Sequence, residues 1–289
     1  MSKDDLERLS AAIEARLVAA NPRGMLSLHE ALPPAYCLRG ALELRDARTV
    51  LIGTGFPVVG TFETDGPPGA IALYLALESL GIEAHIACAG ALATALAKRF
   101  RVEELRAFDL VSGKAEARER LERIAPDVVL SIERPGLADD GRYYNMRGED
   151  ISQRCAVFDY HFDFATCPTI AIGDGGNEVG MGRLRTEISR LDIRGAATGC
   201  DELIVADVSN WGAYGLIAML SCISDRPLLD VIDHHGTLAY LCGLGSVDGV
   251  TRENTPTEDG LPLEAGEALL EDLRELVVRF DAATREAAS

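Results

Sequence analysis

The chain has 289 residues, 47% of them hydrophobic, which is enough for a substantial core and argues against disorder. Its net charge of −18, from 28 basic and 46 acidic residues, argues against nucleic acid and anionic membrane surfaces, while leaving room for a locally basic pocket. Seven cysteines without a C-x-x-C pair, no apolar run of 18 residues and an acidic N-terminus that is not a secretory signal point to reduced thiols, no membrane span and a cytoplasmic protein.

Asp4 to Ala20 reads as an amphipathic helix, with Leu6, Leu9, Ile13 and Leu17 on one face, and it ends before Asn21-Pro22. Residues 23 to 47 lack a clear period but have room for a second helix. We expect 1–47 to be a helical segment packed on a main α/β domain at 48–289. The first strong strand is Arg48 to Phe56, RTVLIGTGF, which runs into Gly53-Thr54-Gly55. Its G-x-G lacks the third glycine and the following helix of a dinucleotide site. After a loop from Pro57 to Gly66, Asp65 precedes a Gly-Pro-Pro-Gly turn and a helix over Ala70 to Leu80. Such a helix N-terminus suits an anion, and Asp65 is read both as a cap and as a site carboxylate.

Strand, helix and strand follow at Ile82–Ala87, Ala89–Phe100 and Arg106–Leu110. A charged helix at Ala115–Ile124 stops at Pro126 and leads to a buried strand, Asp127–Ile132. That strand ends in Glu133-Arg134, a carboxylate beside a guanidinium. The loop LADDGRYYNMRGED, 137 to 150, is long enough to be functional and carries Asn145 and Arg147. Arginine forks bind carboxylates bidentately, so Arg134 and Arg147 are candidates for substrate carboxylates. Asp159, His161 and Asp163 alternate among aromatics, a setting for a packed, hydrogen-bonded histidine rather than a metal.

Pro168 to Gly182, PTIAIGDGGNEVGMG, is the most informative stretch. A short apolar strand breaks into a turn bearing Asp174, Gly175, Gly176, Asn177 and Glu178, with a helix expected over Met181–Leu191. Five glycines and three polar side chains from Gly173 to Gly182 point to a ligand site. A strand at Cys200–Ala206 ends at Asp207, and helices are expected at Gly212–Ile223, Pro227–Leu241 and Leu263–Ala283. His234 and His235 are neighbours on the second of these, so they do not share a metal. Val247 to Gly260 is polar and turn-rich and reads as a surface loop.

Strands alternating with helices imply an α/β, doubly wound, mostly parallel sheet with helices on both faces, a three-layer sandwich. The polar turns at Thr54, Glu133-Arg134, Asp174 and Asp207 then gather at one sheet edge, where such folds bind ligands.

The segments TDGPPGA (64–70), SIERPG (131–136), DGRYYNMRGEDIS (140–152) and IGDGGNEVGMG (172–182) together resemble the C-terminal domain family of D-glutamate cyclases. The resemblance implies a lyase that closes D-glutamate to 5-oxo-D-proline with loss of water. On it, Asp174, Glu178 and Asp65 are the catalytic candidates, and Glu133, Arg134, Asn145, Arg147, Gly175, Gly176, Asn177 and Thr54 are the substrate-binding ones. An amino dicarboxylate is the expected partner, and a homo-oligomer is left open. No metal ligand is assigned. The carboxylates Asp65, Asp174, Glu178 and Asp207 nevertheless leave Mg²⁺ or Ca²⁺ open, and with it a metal-dependent hydrolase or phosphoryl-transfer enzyme. A small-molecule sensor using the same pocket is the third reading.

Overall fold

A computed structural model describes residues 2–287. In chain order the strands are β1 (Thr49–Thr54), β2 (Pro57–Val58), β3 (Thr61–Phe62), β4 (Glu83–Ala89), β5 (Val102–Leu105), β6 (Val128–Ile132), β7 (Thr169–Gly173) and β8 (Glu202–Val205). β2 and β3 form a small antiparallel hairpin. The other six make one parallel sheet in the order β5-β4-β1-β6-β7-β8. This is the doubly wound α/β fold expected from the sequence. From β1 the chain winds outward to β5, then returns to β6 and winds the other way. The reversal between β1 and β6 opens a crevice at their carboxyl ends.

The helices are α1 (Lys3–Leu17), α2 (Met25–Ala31), α3 (Tyr36–Arg45), α4 (Pro67–Ser79), α5 (Gly90–Leu96), α6 (Leu110–Ile124), α7 (Asp159–Asp163), α8 (Arg185–Ile188), α9 (Ser209–Ser224), α10 (His234–Gly243) and α11 (Leu263–Ala287). Register places Ile52, Leu130 and Ile170 in one row and Gly53, Ser131 and Ala171 in the next, on opposite faces. Gly40 of α3 and Gly212 of α9 sit against Ile170 and Ile172, so these helices cover the isoleucine face. α4 packs beside α9 there, and α1 and α11 form a further layer over it. On the other face the Phe158 ring fills the space beside Gly53, where a Cβ would lie 2.3 Å from it. Phe158 leads into α7 on that side, and α6 packs against α7, with Gly113 of α6 against Val157. Leu9, Ile13 and Leu17 of α1 belong to the same buried cluster as the sheet.

Several elements differ from the sequence reading. Residues 23–47 hold two helices, α2 and α3. The third strand lies at Val102–Leu105, not Arg106–Leu110, because it is an edge strand whose Glu103 and Glu104 face outward or lie half-buried and mask its pattern. No long helix follows the GDGGNE turn. A 3₁₀ turn at Met181–Leu184 and the single turn of α8 stand there instead. The helix expected at 89–100 ends at Leu96, and that at 227–241 is divided into a 3₁₀ turn, Leu228–Val231, and α10. Among the described residues no helix is long and apolar enough to cross a membrane, and all seven cysteines are free.

Candidate functional site

Two helix N-termini meet at the crevice and cap each other. The carboxylate of Asp65, just before α4, accepts the amides of Ser209 (2.8 Å) and Asn210 (2.7 Å), which open α9. In return, the Asn210 side-chain oxygen accepts the amides of Gly66 (2.9 Å) and Gly69 (2.7 Å), which open α4. Asp65 is therefore a cap, but of the neighbouring helix. Gly66 is required at this crossing. Its φ is +93°, and a Cβ there would lie 2.7 Å from the Glu133 Cβ and 2.9 Å from Thr54 Oγ1. Glu258 completes the crossing by accepting from Asn210 Nδ2 (2.6 Å) and Trp211 Nε1 (3.3 Å). Burial, together with Asp259, pushes Asp65 up to about 7 against its amide hydrogen bonds, and burial with Asp65 pushes Glu258 up to about 8.

The GDGGNE turn is built around Glu178. Its two oxygens accept the amides of Gly175 (2.8 Å) and Gly176 (2.7 Å), closing the turn on itself. Asn177 Nδ2 donates to Tyr144 O (2.9 Å), tying this turn to the 137–150 loop, while its Oδ1 is buried without a partner. Asp174 is bound by Arg23, whose guanidinium also holds Asp259 and donates to Asp207 O at 2.9 Å. Glu133, with φ +44°, accepts the Ser209 hydroxyl at 2.6 Å.

Above these groups lies a cavity of about 370 Å³. Its floor is acidic, with Glu63, Glu133, Asp174 and Asp259, and Arg23 set among them. Its rim carries Arg147, Arg154 and Arg252 together with Glu149, which pairs with Arg252 at 3.1 Å. Burial pushes Glu63, Glu133 and Asp174 well above the usual carboxylate range; nearby carboxylates add to this, and Arg23 opposes it at Glu63 and Asp174. Glu63 is 6% exposed and its Oε1 has no partner. Arg154 is exposed and makes no side-chain hydrogen bond or ion pair with a described residue.

Glu133, Asp174, Asn177, Asn145 and Arg147 from the sequence reading all line this cavity. Asp65 and Glu178 lie just behind the lining, with oxygens within 4.8 Å of Asp174. Gly175 and Gly176 contribute amides to Glu178 rather than to the cavity surface. Thr54 is buried beneath Gly66 with its hydroxyl unpartnered. Arg134 faces elsewhere. Its guanidinium donates to Gly55 O (2.8 Å) and Ala156 O, and it lines a smaller cavity beside the first. Arg147 donates to Val250 O at 2.9 Å and so latches the two loops that form the rim. Asp207 accepts the amides of Ala20 (2.8 Å) and Asn21 (3.0 Å), binding the end of α1 to the sheet edge.

Arg23, Glu63, Arg154, Glu258 and Asp259 were not singled out in the sequence. The 247–260 segment, read as a surface loop, instead folds inward and buries Asp248 and Glu258. Asp159 accepts from Leu137 N, Thr198 and Tyr143, and His161 from Arg120, so the Asp-x-His-x-Asp stretch anchors loops. His234 is buried beside Tyr214 and Glu258, whereas His235 is exposed.

A family model described as D-glutamate cyclase-like, C-terminal, matches residues 15–274. The mitochondrial D-glutamate cyclase of Homo sapiens is 34% identical over 216 residues, which is 63% of this chain and 34% of the human protein, so the matched segment spans about a third of that relative. An exopolyphosphatase-related protein from Bacteroides fragilis aligns over 85% of this chain and 59% of its own at a TM-score of 0.39 and 11% identity, too weak a likeness to bear on the reaction. With most of its length matched by the family's model, the chain belongs to the D-glutamate cyclase-like C-terminal family.

Proposed function

We propose that the protein closes D-glutamate to 5-oxo-D-proline with release of water. The observation that carries this reading is the polarity of the cavity, acidic at the floor and net basic at the rim, where three arginines stand with one glutamate. An amino dicarboxylate has matching poles, one ammonium and two carboxylates. Family membership and the likeness to a named D-glutamate cyclase support the same substrate class.

Ring closure forms one N–C bond and breaks one C–O bond. The ammonium gives up two protons, and both leave in water with one oxygen of the γ-carboxyl. The work for the protein is to fold the substrate and relay protons. Glu63 is the group we assign to the relay, since its Oε1 is buried and unpartnered and its proton affinity is raised toward that of the groups it serves. Asp174 and Glu178, the base candidates from the sequence alone, are instead engaged by Arg23 and by the amides of Gly175 and Gly176. Arg154 is the guanidinium free to take the α-carboxylate, with Arg147 and Arg252 beside it. Holding amine and γ-carboxyl in a near-attack shape supplies much of the remaining acceleration.

Proton NMR of the purified chain with D-glutamate, L-glutamate and 5-oxoproline tests the reading directly. We expect 5-oxo-D-proline from D-glutamate, and a fall in kcat of about 100-fold or more in Glu63→Gln at unchanged thermal stability. No turnover of any of the three compounds would overturn it.

A further inference from the structure

We propose that Glu133, Asp174, Glu178 and the side-chain carbonyl of Asn177 form a binding site for one divalent hard cation of the Mg²⁺ class. The inference adds an ion to the cavity described above but rests on coordination geometry, and its test contains no substrate.

Two triads of carboxylates converge on Asp174. In one, Asp65, Asp174 and Asp259 bring an oxygen each to within 4.8 Å of one another; in the other, Glu133, Asp174 and Glu178 do the same. A cation bonded to oxygens at roughly 2.0–2.6 Å spans oxygen pairs up to about 5 Å apart, so either spacing fits. The first triad already has a cation, because the Arg23 guanidinium pairs with both Asp174 and Asp259. The second has only its share of Asp174. Glu133, Asp174 and Glu178 are 6%, 2% and 1% exposed, and three carboxyl groups so deeply buried are neutralised either by protons or by a bound cation.

Asn177 points independently to a ligand at the same place. Its Nδ2 is fixed by Tyr144 O, which identifies the other atom as the carbonyl oxygen, and that oxygen is unpartnered in a residue 2% exposed that lines the cavity. A Cβ on Gly175 would sit 2.8 Å from Glu178 Oε1, 2.9 Å from Asn177 Oδ1 and 2.8 Å from Met146 Sδ, so the two oxygens approach the same glycine, beside the Met146 thioether. The ligands are also held ready. Glu178 is oriented by the amides of Gly175 and Gly176, and Glu133 by the Ser209 hydroxyl. Such outer hydrogen bonds are what fix the ligands of a metal site. The set consists wholly of oxygen, which selects Mg²⁺, Mn²⁺ or Ca²⁺ over zinc.

The test is a titration of EDTA-treated, desalted protein with MnCl₂, following the electron paramagnetic resonance signal of free Mn²⁺. We expect one ion bound per chain, displaced by excess Mg²⁺. Asp174→Asn should raise Kd at least 100-fold, and Asn177→Ala, a milder change, about tenfold. Asp259→Asn belongs to the triad that Arg23 neutralises and should weaken binding less than either. Free Mn²⁺ undiminished at millimolar concentration would overturn the site, as would binding untouched by Asn177→Ala or a larger loss in Asp259→Asn. Failure of D-glutamate turnover leaves all these outcomes unchanged, so the two readings stand or fall separately.

Discussion

His161 shows how one buried side chain sets an acid limit on the fold. It stacks on Phe158 at 4.5 Å, its Nδ1 lies 3.0 Å from Phe158 O, and its Nε2 lies 3.0 Å from the Arg120 guanidinium. Those partners place the proton on Nδ1 and make Nε2 the acceptor. Burial, with the charge of Arg120 behind it, lowers its pKa to about 3. The unfolded histidine titrates near 6.5, so between about pH 6.5 and 3 the unfolded chain binds a proton that the folded one refuses. This contribution to stability is whole above pH 6.5 and drains away as pH falls. We expect wild type to lose up to about 1.4 kcal/mol per pH unit across that window relative to His161→Gln. Equal losses of unfolding free energy in wild type and variant between pH 6.5 and 4.5, measured by denaturant unfolding, would show that the ring is protonated in place.

At the level of elements, helix α3 begins without a cap of its own. Ala35, its first flanking residue, is in the left-handed region and offers no side-chain acceptor. Glu14 of α1 fills the gap by accepting from Ala35 N (3.1 Å), Cys37 N (2.9 Å) and the Ser10 hydroxyl (2.7 Å) while wholly buried. Glu14→Ala strands these donors, and we expect a loss of about 1–3 kcal/mol in chemical denaturation. The same arrangement explains what the sequence hid. Strands β1, β6 and β7 are continuous apolar runs with polar turns behind them, so they and their site residues Glu133, Asp174 and Asn177 were legible. β5, at the edge, carries Glu103 and Glu104 and was misplaced by a few residues. Arg23, Glu63 and Asp259 sit in segments without periodicity. A polar side chain buried by a partner in a distant segment looks locally like an exposed one. Only the partner distinguishes the two, and a single sequence does not show it.

Across the whole molecule, the cavity takes residues from six separated stretches of chain, among them Arg23 before α2, Glu63 before α4, Glu133 after β6, Asp174 after β7, Arg154 and Asp259. The reciprocal caps of α4 and α9 bind this assembly together, and they also bear on how it forms. Gly66 and Asn210 are 144 residues apart, as are Asp65 and Ser209. Closing so long a loop costs chain entropy before any contact returns it, so contacts of this kind slow folding. Neither half of the sheet can complete its own helix start, and each supplies the missing acceptor of the other. The carboxylate cluster therefore comes together only when both halves have docked. Hydrogen exchange should register this as one shared opening event, with the amides of Gly66, Gly69, Ser209 and Asn210 protected to the same free energy. Independent protection of the two pairs would mean that each half forms its edge of the site alone. If the event is shared, the protein has no partly built active cavity: a chain that has not finished folding holds no concentrated patch of acid to capture ions or substrate.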